Sequence, residues 1–466
     1  MRSEAHRRIV FPWPLFVSVL LVAAGCSSLP KVTPESRAQS LAPPVVIRAD
    51  GQPTPRESSA EVRAVQAEGR ARLLAHHIKQ LGALGEFTTA DNAVSLLIDG
   101  PATFKAMFAD LERARHSIQM ESYIFEDAEL GQRMAEVLKR KARAGLDVRL
   151  IYDAVGSLTT PRAFFDELAQ AGVRVCEFNP VRTSFPFRAD KLNHRDHRKI
   201  TLVDGKLAYT GGINVSDVYS AGSSSILKRK PDSDDEPKRG WRDTSVRVEG
   251  PAVTDFSILY ADTWMRQGCE HAPVPAARRA SVNGERLVTV IGSTPGDAEP
   301  RIYRALLTAI GSARQSVHMT MSYFVPDPQT TDFLIAAARR GVEVVLVLQG
   351  KSDSELVLRA GQSYYQPLLA AGVKIYERSD TLLHAKTTVI DGVWSTIGSS
   401  NVDWRSFLHN DEVNVIVLGA DFASEMEALF RVDLAHAEAI TPELWQQRGV
   451  WRRMQEQFGR LFEYWL

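Results

Sequence analysis

The sequence predicts an α/β protein made of two copies of one α/β unit, packed about a pseudo-twofold axis as a bilobal body of mixed β-sheets flanked by helices. Three observations carry that expectation. First, the body is written twice. Phe164-Phe-Asp-Glu-Leu-Ala-Gln-Ala-Gly-Val-Arg-Val-Cys-Glu177 lies over Tyr364-Tyr-Gln-Pro-Leu-Leu-Ala-Ala-Gly-Val-Lys-Ile-Tyr-Glu377, and Ser122-Tyr123 lies over Ser322-Tyr323 at the same spacing. His197-Arg-Lys-Ile-Thr-Leu-Val-Asp-Gly205 then lies over His384-Ala-Lys-Thr-Thr-Val-Ile-Asp-Gly392, the first copy having a longer loop before its histidine. A repeat of this size fixes the organisation before any element is assigned. Second, each copy alternates helix-period and strand-like segments, the mark of an α/β layer architecture. Third, a chain of 466 residues that is 44% hydrophobic and 24% charged is long enough for two large domains with a substantial core.

In chain order, residues 1–25 read as an export signal. Arg2, Arg7 and Arg8 precede an uncharged apolar run from Ile9 that ends in Ala23-Ala24-Gly25-Cys26. Small residues before a cysteine resemble a bacterial lipobox, in which the thiol is lipidated and the chain is cut before Cys26, although leucine is commoner where Ala23 stands. The rival is an uncleaved single-span anchor, which the run is marginally long enough to form. Either way the body is expected outside the cytoplasm, on the periplasmic side and held to a membrane surface. Ser27 after the cysteine resembles the outer-membrane sorting pattern. Residues 26–59, with Pro30, Pro34, Pro43, Pro44, Pro53 and Pro55 among serines and charges, read as a tether.

Residues 60–91 read as a helical segment, 92–285 as the first unit and 286–466 as the second. Within the first unit, Leu130 to Ala144 is an amphipathic helix with a basic outer face, and Asp147 to Tyr152 is a strand. Ala163 to Ala171 is a helix closed by Gly172, where a C-cap glycine belongs, and Val173 to Phe178 is a strand. Ser223 to Gly240 reads as an exposed, charged insertion.

Both copies carry histidine, lysine two residues on and aspartate seven on: His197, Lys199 and Asp204, then His384, Lys386 and Asp391. Strand-forming Ile200-Thr-Leu-Val203 and Thr387-Thr-Val-Ile390 lie between. Residues two apart on a strand share a face, so imidazole and ammonium are expected to project together. Gly211-Gly212 and Gly398-Ser399 follow, leading to Asn214 and Asn401, each 17 residues past its histidine (197 to 214 and 384 to 401). Lysine and asparagine suit phosphoryl oxygens, and two histidines can divide the work of nucleophile and general acid. A single His-x-Lys on a strand is usually only structure. Two copies with the same internal spacing point to chemistry.

These motifs resemble the phospholipase D superfamily, whose hallmark is a duplicated His-x-Lys-x-x-x-x-Asp. The flanking Asn193-His-Arg-Asp-His-Arg-Lys199, Ser322-Tyr-Phe-Val-Pro-Asp327, Gly398-Ser-Ser-Asn-Val-Asp-Trp-Arg-Ser406 and Asn410-Asp-Glu412 resemble bacterial cardiolipin synthases. The resemblance implies a metal-free, cofactor-free phosphatidyl transfer through a phosphohistidine on phospholipids. It implies His197 as nucleophile, His384 as acid, Lys199, Lys386, Asn214 and Asn401 on the phosphoryl oxygens with Gly212 and Ser399 beside them, and Glu412 and Asp243 as acids that orient the imidazoles. Asp204 and Asp391, an odd number of positions from their histidines, are expected to form structural salt bridges. Hydrolysis by the same site, giving phosphatidic acid, is the first alternative. A nucleic-acid phosphodiesterase is the second, and 56 basic against 56 acidic residues lower it. A non-catalytic module on a decayed fold is the third, and two intact motifs speak against it. Phosphatidylglycerol and phosphatidylethanolamine are the expected lipids; oligomeric state is not legible.

Other features weigh less. His194 with His197, or His76 with His77, could suggest metal ligands, but no convergent carboxylate or cysteine set accompanies them. Phe185-Pro-Phe187 with Arg182, Arg188 and Lys191 could rim an active-site mouth or be an ordinary loop. Trp451, Met454, Phe458, Leu461, Phe462 and Trp465 fall at helical spacing among Arg452, Arg453 and Arg460. Packing onto the body is expected of that helix, with a membrane interface as the alternative. Three cysteines exclude a disulfide scaffold and leave the pairing of Cys176 with Cys269 undecided.

Overall fold

Each copy forms a mixed sheet, and the two sheets have the same strand order. In the first copy the strands are β1 (Thr88–Ile98), β2 (Ser117–Ser122), β3 (Asp147–Asp153), β4 (Arg174–Phe178), β5 (Ile200–Val203), β6 (Leu207–Gly211) and β7 (Thr244–Glu249). In the second they are β8 (Arg286–Ser293), β9 (Ser316–Met321), β10 (Glu343–Gln349), β11 (Lys374–Arg378), β12 (Lys386–Ile390), β13 (Trp394–Gly398) and β14 (Asn410–Leu418). The orders are β4-β3-β2-β5-β6-β7-β1 and β11-β10-β9-β12-β13-β14-β8. The first three strands in each order run parallel and the remaining pairings are antiparallel. This computed structural model describes residues 28–32, 46–47, 53–54, 70–181, 192–224, 239–269, 284–297 and 300–466. The export signal with Cys26, most of the tether, the Arg182–Lys191 loop and most of the 223–240 insertion lie outside the described residues.

The alternation read from the sequence is present. Helix Glu129–Arg143 leads into β3, and helix Arg162–Gln170 leads into β4 after Gly172, whose φ of 95° suits glycine. The Pro-Asp327 pair starts helix Pro328–Arg339: the Asp327 carboxylate accepts from the backbone N–H of Gln329 and Thr330, and Pro328 occupies the first turn, where no N–H is needed.

One apolar cluster lies among the helices and sheet of the first copy, and another among those of the second. A third is shared: Ile200, Leu202, Ala208, Val246 and Val248 of one sheet pack with Val389, Ile397, Val413, Val415 and Val417 of the other. Strands covered on both faces need no polar alternation, which is why β14 reads Val413-Asn-Val-Ile-Val-Leu418. The sheets are also stitched by backbone. β1 pairs with β8 through Asn92 and Arg286, Asp196 pairs with Asp411, and Arg242 pairs with Leu383. Cys176 on β4 is bonded to Cys269, just past helix Val253–Arg266, across 5.9 Å between Cα atoms.

The C-terminal helix, Val450–Arg460, departs from expectation. It lies on the body, but with its polar side inward: Gly459 sits so close to helix Glu355–Gln362 that an added Cβ would be 2.8 Å from the Ala360 nitrogen. Buried Glu456 is held by Arg448 at 2.9 Å. Trp451, Met454, Phe458 and Leu461 face outward, 70%, 57%, 57% and 77% exposed. A close-approach glycine and a neutralised glutamate let the polar side pack, leaving the apolar side uncovered. Among the described residues no helix is long and apolar enough to cross a membrane.

Candidate active site

Each histidine lies just before the short strand of its motif, in an extended stretch that borrows a partner from the other copy. The His197 backbone N–H donates to the Asp411 carbonyl at 2.9 Å, and that of His384 to the Arg242 carbonyl at 2.7 Å. This pairing carries the side chains across as well. His197 Nδ1 lies 3.0 and 3.1 Å from the two oxygens of Glu412, and His384 Nδ1 lies 2.7 Å from Asp243 Oδ2. Both expected acids therefore orient an imidazole, and each serves the histidine of the opposite copy. A carboxylate on Nδ1 fixes the hydrogen there and leaves Nε2 for chemistry.

Lys199 and Asn214 line one small cavity, and Lys386 and Asn401 line its repeat-related counterpart. Each ammonium is anchored to the carbonyl of its own histidine at 2.6 Å, and Lys386 also donates to Ser322 Oγ at 2.9 Å. The Asn214 side-chain oxygen accepts from the Ile124 N–H at 3.2 Å and that of Asn401 from Ser322 Oγ at 2.7 Å, which sets the orientation of both amides. Gly212 and Ser399 stand behind the orienting acids. A Cβ on Gly212 would lie 2.3 Å from Asp243 Oδ1, and the Ser399 hydroxyl donates to Glu412.

Of the structural salt bridges expected of the motif aspartates, Asp391 makes one contact of that kind, to His77, and among the described residues the main partners of both are backbone amides. Asp204 and Asp391 sit at φ 55°, each followed by glycine, in the tight turns that join β5 to β6 and β12 to β13. Asp204 collects the backbone N–H groups of Arg115, His116 and Ser117. Asp391 collects those of Arg314, Gln315 and Ser316 and adds His77 Nε2 at 3.1 Å. Orphan amides ahead of β2 and β9 take these carboxylates before any cation can. The Asp-Gly pair is a strong hairpin signal in its own right, and here it outranks the face-counting argument. His77 Nε2 is taken by Asp391, as above, and His194 Nε2 meets Asp411 at 3.2 Å.

Sequence reasoning missed an aromatic wall. The Tyr123 ring meets His197 edge-on at 5.1 Å and lies 5.2 Å from Lys199 Nζ. Tyr219 places its hydroxyl 3.1 Å from His384 Nδ1, and the Trp241 ring lies 5.3 Å from that imidazole. Ser122-Tyr123 was visible as a repeated word, but nothing in it marked a role. Tyr219 and Trp241 have no counterpart in the repeated words.

Burial controls the electrostatics. It pushes the His197 imidazole down to about 4, against the pull of Glu412 and with help from Lys199. His384 is lowered too, by burial and then by Lys386. Burial brings Lys199 down to about 7 and Lys386 to about 8, each opposed by the carboxylates. Burial would raise Glu412, but His197, Lys199 and Ser399 bring it to about 2. The free site thus holds neutral imidazoles, an ionised carboxylate and two lysines poised to gain full charge against an anion.

Two imidazoles with opposed acids and a lysine and asparagine on each side define a phosphoryl-transfer site of the phospholipase D kind, and the chain belongs to that superfamily. A family model described as "Cardiolipin synthase, PLD-like domain" matches residues 107–221 and 306–434, one segment on each copy. More particularly, the chain is 34% identical over 380 residues to a cardiolipin synthase of Listeria monocytogenes, covering 81% of this chain and 76% of the relative. It is 36% identical over 370 residues to one of Geobacillus kaustophilus, covering 79% and 71%. The phosphatidylserine synthase of Haemophilus influenzae superposes with a TM-score of 0.57 at 12% identity, over 80% of this chain and 95% of that one, a likeness of fold. The chain is an enzyme of the phosphatidyltransferase and phospholipase D type.

Proposed function

We propose that the protein is a cardiolipin synthase-like phosphatidyltransferase working through a phosphohistidine. The observation that carries this reading is the exchange of orienting acids, which leaves Nε2 of both histidines for one reaction. His384 takes up a proton at Nε2 as the anionic phosphodiester binds; His197 Nε2 then attacks phosphorus while the bond to the headgroup alcohol breaks, and that proton passes from His384 to the departing oxygen. The hydroxyl of a second lipid then attacks phosphorus, returns its proton to His384 and releases His197. Lys199, Lys386, Asn214 and Asn401 hold the non-bridging oxygens, where charge accumulates.

Lipobox-like Cys26 supports a lipid-anchored, extracytoplasmic setting, and the Cys176–Cys269 bond is in keeping with an oxidising compartment. Incubating the purified protein with phosphatidylglycerol, with and without phosphatidylethanolamine, and identifying products tests the reading. Cardiolipin with a released alcohol is expected. Phosphatidic acid alone would convert the assignment to a hydrolase, and turnover of nucleic acid but not lipid would overturn it.

A further inference from the structure

The outward apolar face of the C-terminal helix is placed beside the active site, and its C-terminal end is tied to the site's rim twice over. Its packing partner, helix Glu355–Gln362, begins two residues after Asp353, which accepts from the Tyr323 hydroxyl at 2.7 Å. Tyr323 lies within electrostatic reach of Tyr123, the ring that meets His197. Just past the helix, Glu463 accepts from the Tyr364 hydroxyl, Tyr464 packs on Trp404, and the Leu466 carbonyl accepts from the Arg405 N–H at 3.1 Å. Arg405 in turn donates to Asn193, four residues before His197, at 3.1 Å.

The chemistry of the exposed face is one-sided. Val450, Trp451, Met454, Phe458 and Leu461 make a continuous apolar stripe. Its flanks carry Arg453 and Arg460, both exposed, Arg460 lying 3.6 Å from Glu463, while Glu456, the acid within Val450–Arg460, is turned inward onto Arg448. An apolar stripe edged by cations fits the boundary between acyl chains and anionic headgroups.

We infer that Val450–Leu461 is a membrane-docking face that seats the mouth of the active site on an anionic bilayer, so that substrate enters from the lipid surface. The inference rests on the reading that the substrate is a phospholipid. It concerns a contact separate from the N-terminal address, since the helix is fixed to the catalytic body and sets how that body faces the bilayer.

The full chain, reconstituted into vesicles of phosphatidylglycerol and phosphatidylcholine, provides the test. A fluorescent thiol label at Phe458→Cys should be quenched by lipids with brominated acyl chains. A label at Lys206→Cys should not, because Lys206 is exposed in the turn at the end of β5 remote from Lys199. The double variant Trp451→Glu/Phe458→Glu should lose at least ~10-fold on vesicle-borne phosphatidylglycerol and keep its rate on a short-chain phosphatidylglycerol dissolved as monomers. An unquenched label at 458 would overturn the inference. So would equal loss on both substrates, no loss on either, or cross-links joining position 458 of two copies. If the parent protein turns over neither lipid, the functional reading fails, yet quenching still decides the docking face.

Discussion

Exchanging orienting acids between the copies makes the two halves of the reaction separable. Glu412→Gln keeps the length and hydrogen-bonding capacity of the side chain beside His197 Nδ1, 3.0 Å away, but removes its charge. In the proposed phosphohistidine, the bond from Nε2 to phosphorus makes the ring cationic. Unit charges about 4 Å apart at an effective dielectric near 20 attract by about 4 kcal/mol, so losing that attraction slows the step ~10³-fold. Asp243→Asn acts on His384 and therefore on protonation of the leaving group. The assay compares phosphatidylglycerol with an analogue whose leaving group is p-nitrophenol, which departs without an acid. Glu412→Gln should be slow on both, whereas Asp243→Asn should recover most of its rate on the analogue. Circular dichroism and thermal melting establish that both variants are folded. Equal recovery by the two variants, or a loss under ~10-fold for Glu412→Gln, would refute the crossed assignment.

Other outcomes follow from the same geometry. His197→Ala and His384→Ala should each remove at least ~10²-fold of turnover if, as proposed, the imidazoles serve one phosphorus; half the activity in either variant would mean two independent sites. Lys199 and Lys386, at about 7 and about 8, are cationic below those values and lose charge as pH rises through them, so kcat/KM should fall on the alkaline side between about 7 and 8. A bound phosphodiester anion raises both lysines, placing the alkaline limb of kcat higher; coincident limbs would contradict this. Asp391→Ala should cost about 3 kcal/mol in denaturant unfolding, for it strands the buried His77 as well as releasing three amides, against about 1–2 kcal/mol for Asp204→Ala, whose Arg115 and His116 amides can turn to water. Cys26→Ser should abolish labelling by a fatty-acid probe, and unchanged labelling would remove the lipoprotein assignment.

The sequence by itself determined what repeats. Duplicated words place His197 with Lys199 and Asn214, and His384 with Lys386 and Asn401. Local periodicity identifies the helices and strands that carry them, because hydrophobic spacing and glycine stops act over a few residues. Glu412 and Asp243 were legible as orienting acids only through the resemblance to the phospholipase D superfamily. Which histidine each one holds was not, because Glu412 and His197 are 215 residues apart and repeat logic pairs each acid with its own copy. Only the tertiary structure decided that exchange, through the pairing of Asp196 with Asp411 and of Arg242 with Leu383. It likewise decided that Asp204 and Asp391 satisfy backbone amides, that Tyr219 and Trp241 reach His384, and that the C-terminal helix turns its apolar side outward. Each of these depends on which surface is left available once the two sheets have packed, a quantity set by contacts between distant segments.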